Sequence, residues 1–166
     1  MVTPRMVTDE LVQRIRTAKF RQRFYAKIAD APGGCHVWTG AVSSNGRGMV
    51  GVAGGTYSVH RVAWMIQHGK PIPDGLTIDH LCYNGLCVNP DHLEAVEFAI
   101  NLQRRDEHFG PGASLRVRCS KTGTPSYQVL WVERTDGKKT QRGRTFRNKA
   151  DALALIALLR GDAEVA

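Results

Sequence analysis

The sequence predicts an α+β protein in three stretches: a basic helix over 1–30, a central domain of short strands and helices over 31–110, and a strand–strand–helix module over 113–161. Three observations carry this reading. Apolar residues recur at helical spacing in several segments, brief β-like runs lie between Gly- and Asn-rich turns, and Gly110-Pro111-Gly112 divides the chain. The 166 residues are 42% apolar and 23% charged, which excludes a disordered chain. No apolar run approaches the ~20 residues that span a bilayer. The opening MVTPRMVTDE has no apolar signal core, so an intracellular, cytoplasmic protein without a membrane partner is expected.

Residues 9–29 read as one helix, with Leu11, Ile15, Ala18, Phe24 and Ile28 at helical spacing and Thr8 or Asp9 to cap it. Ala31-Pro32-Gly33-Gly34 breaks it. Strands are predicted at 36–39, 49–53 and 57–59, parted by Ser43-Ser44-Asn45-Gly46 and Gly54-Gly55. Val59, Val62, Ala63 and Ile66 fall at i, i+3, i+4 and i+7, an amphipathic helix that Gly69 ends and Pro71 and Pro73 keep from resuming. Residues 76–81 form a strand delivering Asp79 and His80; a Cys-bearing loop and a strand at 93–96 follow. A helix over 97–107 should point Phe98 and Leu102 inward. Beyond the break, strands are predicted at 115–119, 127–135 and 140–146, with Asp136-Gly137 as a hairpin turn. Asn148 caps a last helix with an apolar stripe of Ala150, Leu153, Ala154 and Ala157, and Gly161 at its end.

The net charge of +8 is unevenly spread. Residues 1–30 hold 7 basic and 3 acidic groups, residues 31–110 hold 5 and 7, and residues 111–166 hold 11 and 5. Basic flanks around a slightly acidic centre suit a polyanion gripped by the flanks and worked on by the centre.

The centre contains the most informative segment, DHLCYNGLCVNPDHLEAVEFAIN, residues 79–101. Cys82, Cys87 and His92 stand five apart in a turn-rich loop with too little apolar area to hold itself, so a metal would explain its order. Thiolate and imidazole are the ligands zinc prefers, and four close a structural site. Cys35, just past Gly33-Gly34, is the natural fourth, with His36 as the alternative. Cys119 has no partner and reads as a core residue of its strand. Immediately before the loop, Asp79 and His80 place a carboxylate beside an imidazole able to take a proton from water at neutral pH. Asp79 and Asn101 are hard oxygen donors of the kind Mg²⁺ prefers. Arg104 and Arg105 share Asn101's helix face, where both could meet phosphate.

With these residues in place, the segment resembles the HNH (His-Me finger, ββα-metal) nucleases. The likeness is to small phage-type members with a His-x-Cys pair, then Cys-Val-Asn-Pro-x-His-Leu, then a helical Asn. Here these are His80-Leu81-Cys82, then Cys87-Val88-Asn89-Pro90-Asp91-His92-Leu93, then Asn101. The spacing is similar to that of the His-Cys box homing endonucleases. WTGAVSSNGRGMVGV and VHRVAWMIQHGKPIPDG extend the likeness over residues 20–107. The resemblance implies that His80 is the general base, that Asn101 and Asp79 hold a catalytic Mg²⁺ or Mn²⁺, and that Asn89 braces the loop. It also implies that Cys35, Cys82, Cys87 and His92 bind a structural zinc. Arg61, in the His60-Arg61 pair typical of these proteins, would contact the scissile phosphate. The chain departs from the family in having Ala95-Val96 where Gly-Thr is common.

SYQVLWVERTDGKKTQRGRTFRNKADALALIALLR resembles the three-stranded arm-type DNA-binding domains of phage tyrosine integrases and plant transcription factors, through Tyr127, Trp131, Asp136-Gly137, Thr145-Phe146 and the Ala-Leu helix. Such a sheet lies in the major groove. That implies base or phosphate contacts for Arg116, Arg118, Arg134, Arg142 and Arg144, and phosphate contacts for Lys138, Lys139, Arg147 and Lys149. The expected whole is a zinc-stabilised ββα-metal nuclease core with a small three-stranded antiparallel sheet and helix. Its expected activity is hydrolysis of double-stranded DNA, as a homing or nicking endonuclease, in the host cell if phage-encoded. The rival is a non-catalytic zinc-dependent DNA-binding protein, which needs the four zinc ligands but neither His80 nor Asn101. Monomer and homodimer both stay open.

Overall fold

The structure is a computed structural model and describes residues 9–110, 113–119 and 124–160. Two short helices come first, α1 (Asp9–Arg16) and α2 (Ala18–Tyr25). The single helix expected over 9–29 is interrupted at Thr17. Its backbone is extended (φ −60°, ψ 144°), and its hydroxyl accepts from Phe20 N–H at 3.4 Å while donating to the Arg14 carbonyl at 2.9 Å. A side chain that bonds the local backbone in this way competes with the helical ladder and starts a new helix instead. The expected caps at Thr8 and, at the other end of the chain, Gly161 lie outside the described residues.

Residues assigned to the end of that helix form β1 (Ile28–Ala31), antiparallel to β2 (Cys35–Trp38). Pairing across the Pro-Gly-Gly turn overrides the helical period there. A second hairpin joins β3 (Met49–Val52) to β4 (Gly55–Ser58) and leads into α3 (Val59–His68). Val59, Val62, Ala63 and Ile66 are buried as their spacing predicts. Gly69 ends α3 at φ 65°, its N–H donating to the Met65 carbonyl. Next, β5 (Leu76–His80) and β6 (Leu93–Glu97) pair antiparallel, His80 opposite Leu93. The rest is α4 (Phe98–Phe109), a three-stranded antiparallel sheet of β7 (Ser114–Cys119), β8 (Pro125–Thr135) and β9 (Lys138–Phe146), and α5 (Lys149–Arg160).

The chain forms two compact units. One runs to Cys82 and resumes over Leu86–Glu97; the other takes Tyr83–Gly85 and everything from Phe98 onward. The division therefore falls before α4, not at Gly110-Pro111-Gly112, because α4 packs on β7 and α5. The first unit's core gathers Ile15, Phe24, Trp38, Val59, Met65 and Ile78, each 1% exposed or less. Fully burying such a side chain is worth about 1.5–3 kcal/mol. The second unit has a smaller core of Phe109, Ala113, Val129, Ala152 and Ile156.

Two expected inward faces are corrected. Phe98 is 62% exposed, and it is Phe109 that packs inward. On α5 the buried residues are Ala152 and Ile156, with Leu155 beside them, while Ala150, Leu153 and Ala154 are exposed and Ala157 is only partly covered. A helix made of Ala and Leu nearly all round offers no unique stripe, so the sheet selects its face. The side chain of Cys119 lies outside the described residues. Among the described residues, no helix is long and apolar enough to cross a membrane.

Candidate metal centre and the buried histidine beside it

Strand alternation decides between the two candidate fourth ligands. On β2, Cys35 points inward, whereas His36 is exposed and lies 3.7 Å from the Asp30 carboxylate. The Cys-bearing loop then pairs with β2: Trp38 N–H donates to the Leu86 carbonyl at 2.9 Å and Val88 N–H to the His36 carbonyl at 2.7 Å. This pairing brings Cys87 beside Cys35. Asn89 does the rest. Its side-chain N–H donates to the Gly34 carbonyl at 2.7 Å, and its carbonyl oxygen accepts from Asp91 N–H at 3.1 Å, capping the 3-10 turn Pro90–His92 that carries His92.

The result is a cluster of Cys35, Cys82, Cys87 and His92 whose ligand atoms all lie within 4.8 Å of one another. His92 Nδ1 is 3.7 Å from Cys35 Sγ and 3.6 Å from Cys87 Sγ. Tetrahedral zinc, with bonds near 2.3 Å to sulfur and 2.0–2.1 Å to nitrogen, sets that edge at about 3.6 Å. The donor set and its spacing fit the ion. The Cys87 thiol is pushed far up by its hydrogen bond with Cys82 and by burial, so it gives up its proton only to a cation that takes the proton's place.

His80 ends β5 and is 6% exposed. Its Nε2–H donates to the Cys87 carbonyl at 3.2 Å, and its Nδ1 accepts from Arg47 Nη1 at 3.3 Å. The network thus assigns the tautomer, leaving the lone pair on Nδ1. The adjacent Asp79 is equally buried, and its Oδ1 accepts the backbone N–H of His80 at 2.7 Å. Burial pushes His80 down to about 3; the Arg47 charge adds to this and the Cys87 hydrogen bond opposes it. The ring is therefore neutral at physiological pH. His60 packs against it with ring centroids 4.7 Å apart. Burial, then the charges of His80, Arg47 and Arg61, hold His60 well below the usual imidazole value.

Of the residues named from sequence, the first unit brings together Asp79, His80, Cys35, Cys82, Cys87 and His92, with Arg61 half-buried beside His60 on α3. Asn101, Arg104 and Arg105 stand on α4, in the second unit. Arg105 spends both Nε and Nη2 on Asp106 Oδ1, at 2.9 and 2.6 Å. Sequence reasoning missed Arg47, which approaches His80 across 33 positions, and the Cys87 carbonyl; nothing local marks either.

The sheet register divides the other arginines. Arg116 lies opposite Gln128, itself opposite Thr145, and Arg118 lies opposite Ser126. With Arg134 they occupy one face. Arg144 lies opposite the buried Val129, and Arg142 opposite Trp131, on the face that α5 covers. There Arg142 donates to Glu133 at 2.8 Å and Arg144 sits over the Phe146 ring at 5.2 Å.

Comparison with known proteins finds likeness in the same part of the chain. The family model described as HNH endonuclease matches residues 57–103, a span that includes His60, Arg61, Asp79, His80, Cys82, Cys87, His92 and Asn101. "Uncharacterized gene 5.3 protein" of Enterobacteria phage T3 is 48% identical over 40 residues, 24% of this chain and 39% of that protein. "Protein 7.7" of Escherichia phage T7 is 39% identical over 59 residues, 36% of this chain and 45% of that protein. "Protein 2.8" of the same phage is 34% identical over 77 residues, 45% and 51%. The matches span about half or less of those relatives' lengths. No solved structure matches.

Proposed function

We propose that this protein is a metal-dependent endonuclease of the HNH type that hydrolyses phosphodiester bonds in double-stranded DNA. One observation carries the reading most: a neutral, buried imidazole whose Nε2–H is committed to a backbone carbonyl of the metal-binding loop, which leaves Nδ1 as the only basic nitrogen. Cys35, Cys82, Cys87 and His92 would hold a structural zinc, whose bonds would keep this carbonyl in place. His80 then takes a proton from water, the water oxygen attacks phosphorus, and the P–O3′ bond breaks, the departing 3′ oxygen taking a proton from solvent. Asp79 and Asn101 are the proposed ligands of Mg²⁺ or Mn²⁺, which when bound would offset the negative charge gathering on phosphate and departing oxygen. Arg61 is a proposed phosphate contact. Arg104, Arg105, Arg116, Arg118, Arg134, Arg142 and Arg144 are the proposed DNA-binding residues, with Arg116, Arg118 and Arg134 on the open face of the sheet foremost among them.

The test is cleavage of supercoiled plasmid with Mg²⁺. His80→Ala should slow it about 10²–10⁴-fold while zinc content stays at one per chain. Equal rates in both proteins would remove the mechanism. Absence of cleavage in both, with tight DNA binding, would select the second reading, a non-catalytic zinc-dependent DNA-binding protein, which the burial of His80 also accommodates. Nicked against linear product, with sedimentation of the complex, decides between a monomer cutting one strand and a homodimer cutting two.

A further inference from the structure

Arg47 has no part in the chemistry above, yet its guanidinium occupies the nitrogen that the chemistry needs. With Nε2 donating to Cys87 and Nδ1 accepting from Arg47, both nitrogens of His80 are engaged, and the lone pair the base would use is already taken by Arg47. The backbone of Arg47 is fixed. Its N–H donates to Ser43 Oγ at 3.2 Å, and its carbonyl accepts from Ser43 N–H at 2.8 Å and Ser43 Oγ–H at 3.0 Å. The next residue, Gly48, lies so close to Trp38 and Val59 that a Cβ there would sit 2.6 Å from Val59 Cγ2 and 2.8 Å from Trp38 Cδ1. The side chain alone is therefore able to move.

The surroundings carry more positive than negative charge. His60, 6% exposed, has an Nδ1 that finds no hydrogen-bond partner among the described residues. It stands second in α3, whose first turn holds no acidic residue and whose N-cap, Ser58, makes no side-chain cap. Two guanidinium groups and two imidazoles cluster here, and Asp79 is the carboxylate whose charge reaches Arg47. A guanidinium prefers a phosphate, which accepts two charge-assisted hydrogen bonds, over a neutral imidazole that accepts one.

We propose that Arg47 is the phosphate-orienting residue of this site: it leaves His80 Nδ1 for a non-bridging oxygen of the scissile phosphodiester and thereby frees that nitrogen for the attacking water. The arriving phosphate both finds its ligand and uncovers the base. This role rests on the nuclease reading but is separable from it.

The zinc-loaded full chain is titrated with inorganic phosphate while the side-chain ¹H–¹⁵N signals of His60 and His80 are followed, and plasmid cleavage is measured in parallel with Mg²⁺. Wild type should show a saturable shift of both rings. Arg47→Ala should lose that shift and cleave about 10²-fold or more slowly, and Arg47→Lys should recover part of each. Zinc content and melting temperature identify any variant that misfolds; Arg47→Lys and Arg47→Gln, one keeping the charge and one the shape, then decide. Phosphate shifts or cleavage rates in Arg47→Ala equal to wild type overturn the proposal and leave the nuclease reading intact. Arg47-dependent phosphate shifts in a wild type that cuts nothing keep the phosphate site and sink the nuclease reading.

Discussion

Two antiparallel hairpins in this chain solve opposite problems. The β5–β6 pair has five-residue strands joined by the twelve residues 81–92, and the β8–β9 pair has strands of eleven and nine residues joined by Asp136-Gly137 alone. The tight hairpin needs no outside help. Asp136 and Gly137 both take positive φ, 51° and 75°, the geometry of a two-residue turn whose twist matches its strands. The open hairpin spreads its loop over twelve residues, so beyond two backbone hydrogen bonds to β2 and the buried Leu86 and Val88 it draws on three loop ligands, Cys35 of β2 and the Asn89 bridge. A short strand end can carry chemistry when its loop is chelated; a long, tightly turned pair supplies a surface instead.

The largest way to break this contrast is to remove the metal. Structural zinc contributes on the order of 10–16 kcal/mol of apparent binding free energy in small domains. A strong chelator, or Cys87→Ser, should therefore unfold the first unit, seen as exposure of the buried Trp38, while β8–β9 amides keep their protection from exchange. Buried Trp38 in zinc-free protein would sink the comparison. The reverse asymmetry comes from Ile156→Ala, which opens the small core under β8 and should cost about 2–5 kcal/mol without changing zinc content.

Proton uptake gives a third, smaller effect. His80 is held near 3 and His60 is also lowered, so both are neutral when folded and bind protons more readily when unfolded. The contribution of His80 to stability is complete above an unfolded value near 6.5 and is lost as pH falls from there toward 3, and that of His60 is lost in the same direction. Each group adds a slope of up to about 1.4 kcal/mol per pH unit, and His80→Asn should flatten the curve of urea midpoint against pH. An unchanged slope would contradict the burial described here. The least effect is expected at the α5 cap, where Asn148 Oδ1 accepts from Asp151 N–H at 2.8 Å. Asn148→Ala should lower stability by about 1 kcal/mol, as a shift in denaturant midpoint with zinc binding unaltered.

What could be read from sequence follows from how local its cause is. The α3 stripe, the Asp136-Gly137 turn and the Cys82, Cys87 and His92 spacing are each written within a few residues, and the structure repeats them. The strand at Ile28–Ala31 was hidden because its helical period competes with a partner beyond the Pro-Gly-Gly turn. The α5 face was hidden because an Ala-Leu helix has no polar side to exclude it. Arg47 was hidden most deeply. It sits in a Ser-Asn-Gly turn that looks like any surface loop, and only folding brings it to His80.

Cys87 divides itself between two duties, its sulfur to the metal cluster and its carbonyl to the imidazole. Of the cluster, Cys82 is half-open to solvent while Cys35 and Cys87 are buried. Any disturbance of the sulfur cluster would thus also move the carbonyl that fixes the tautomer of His80.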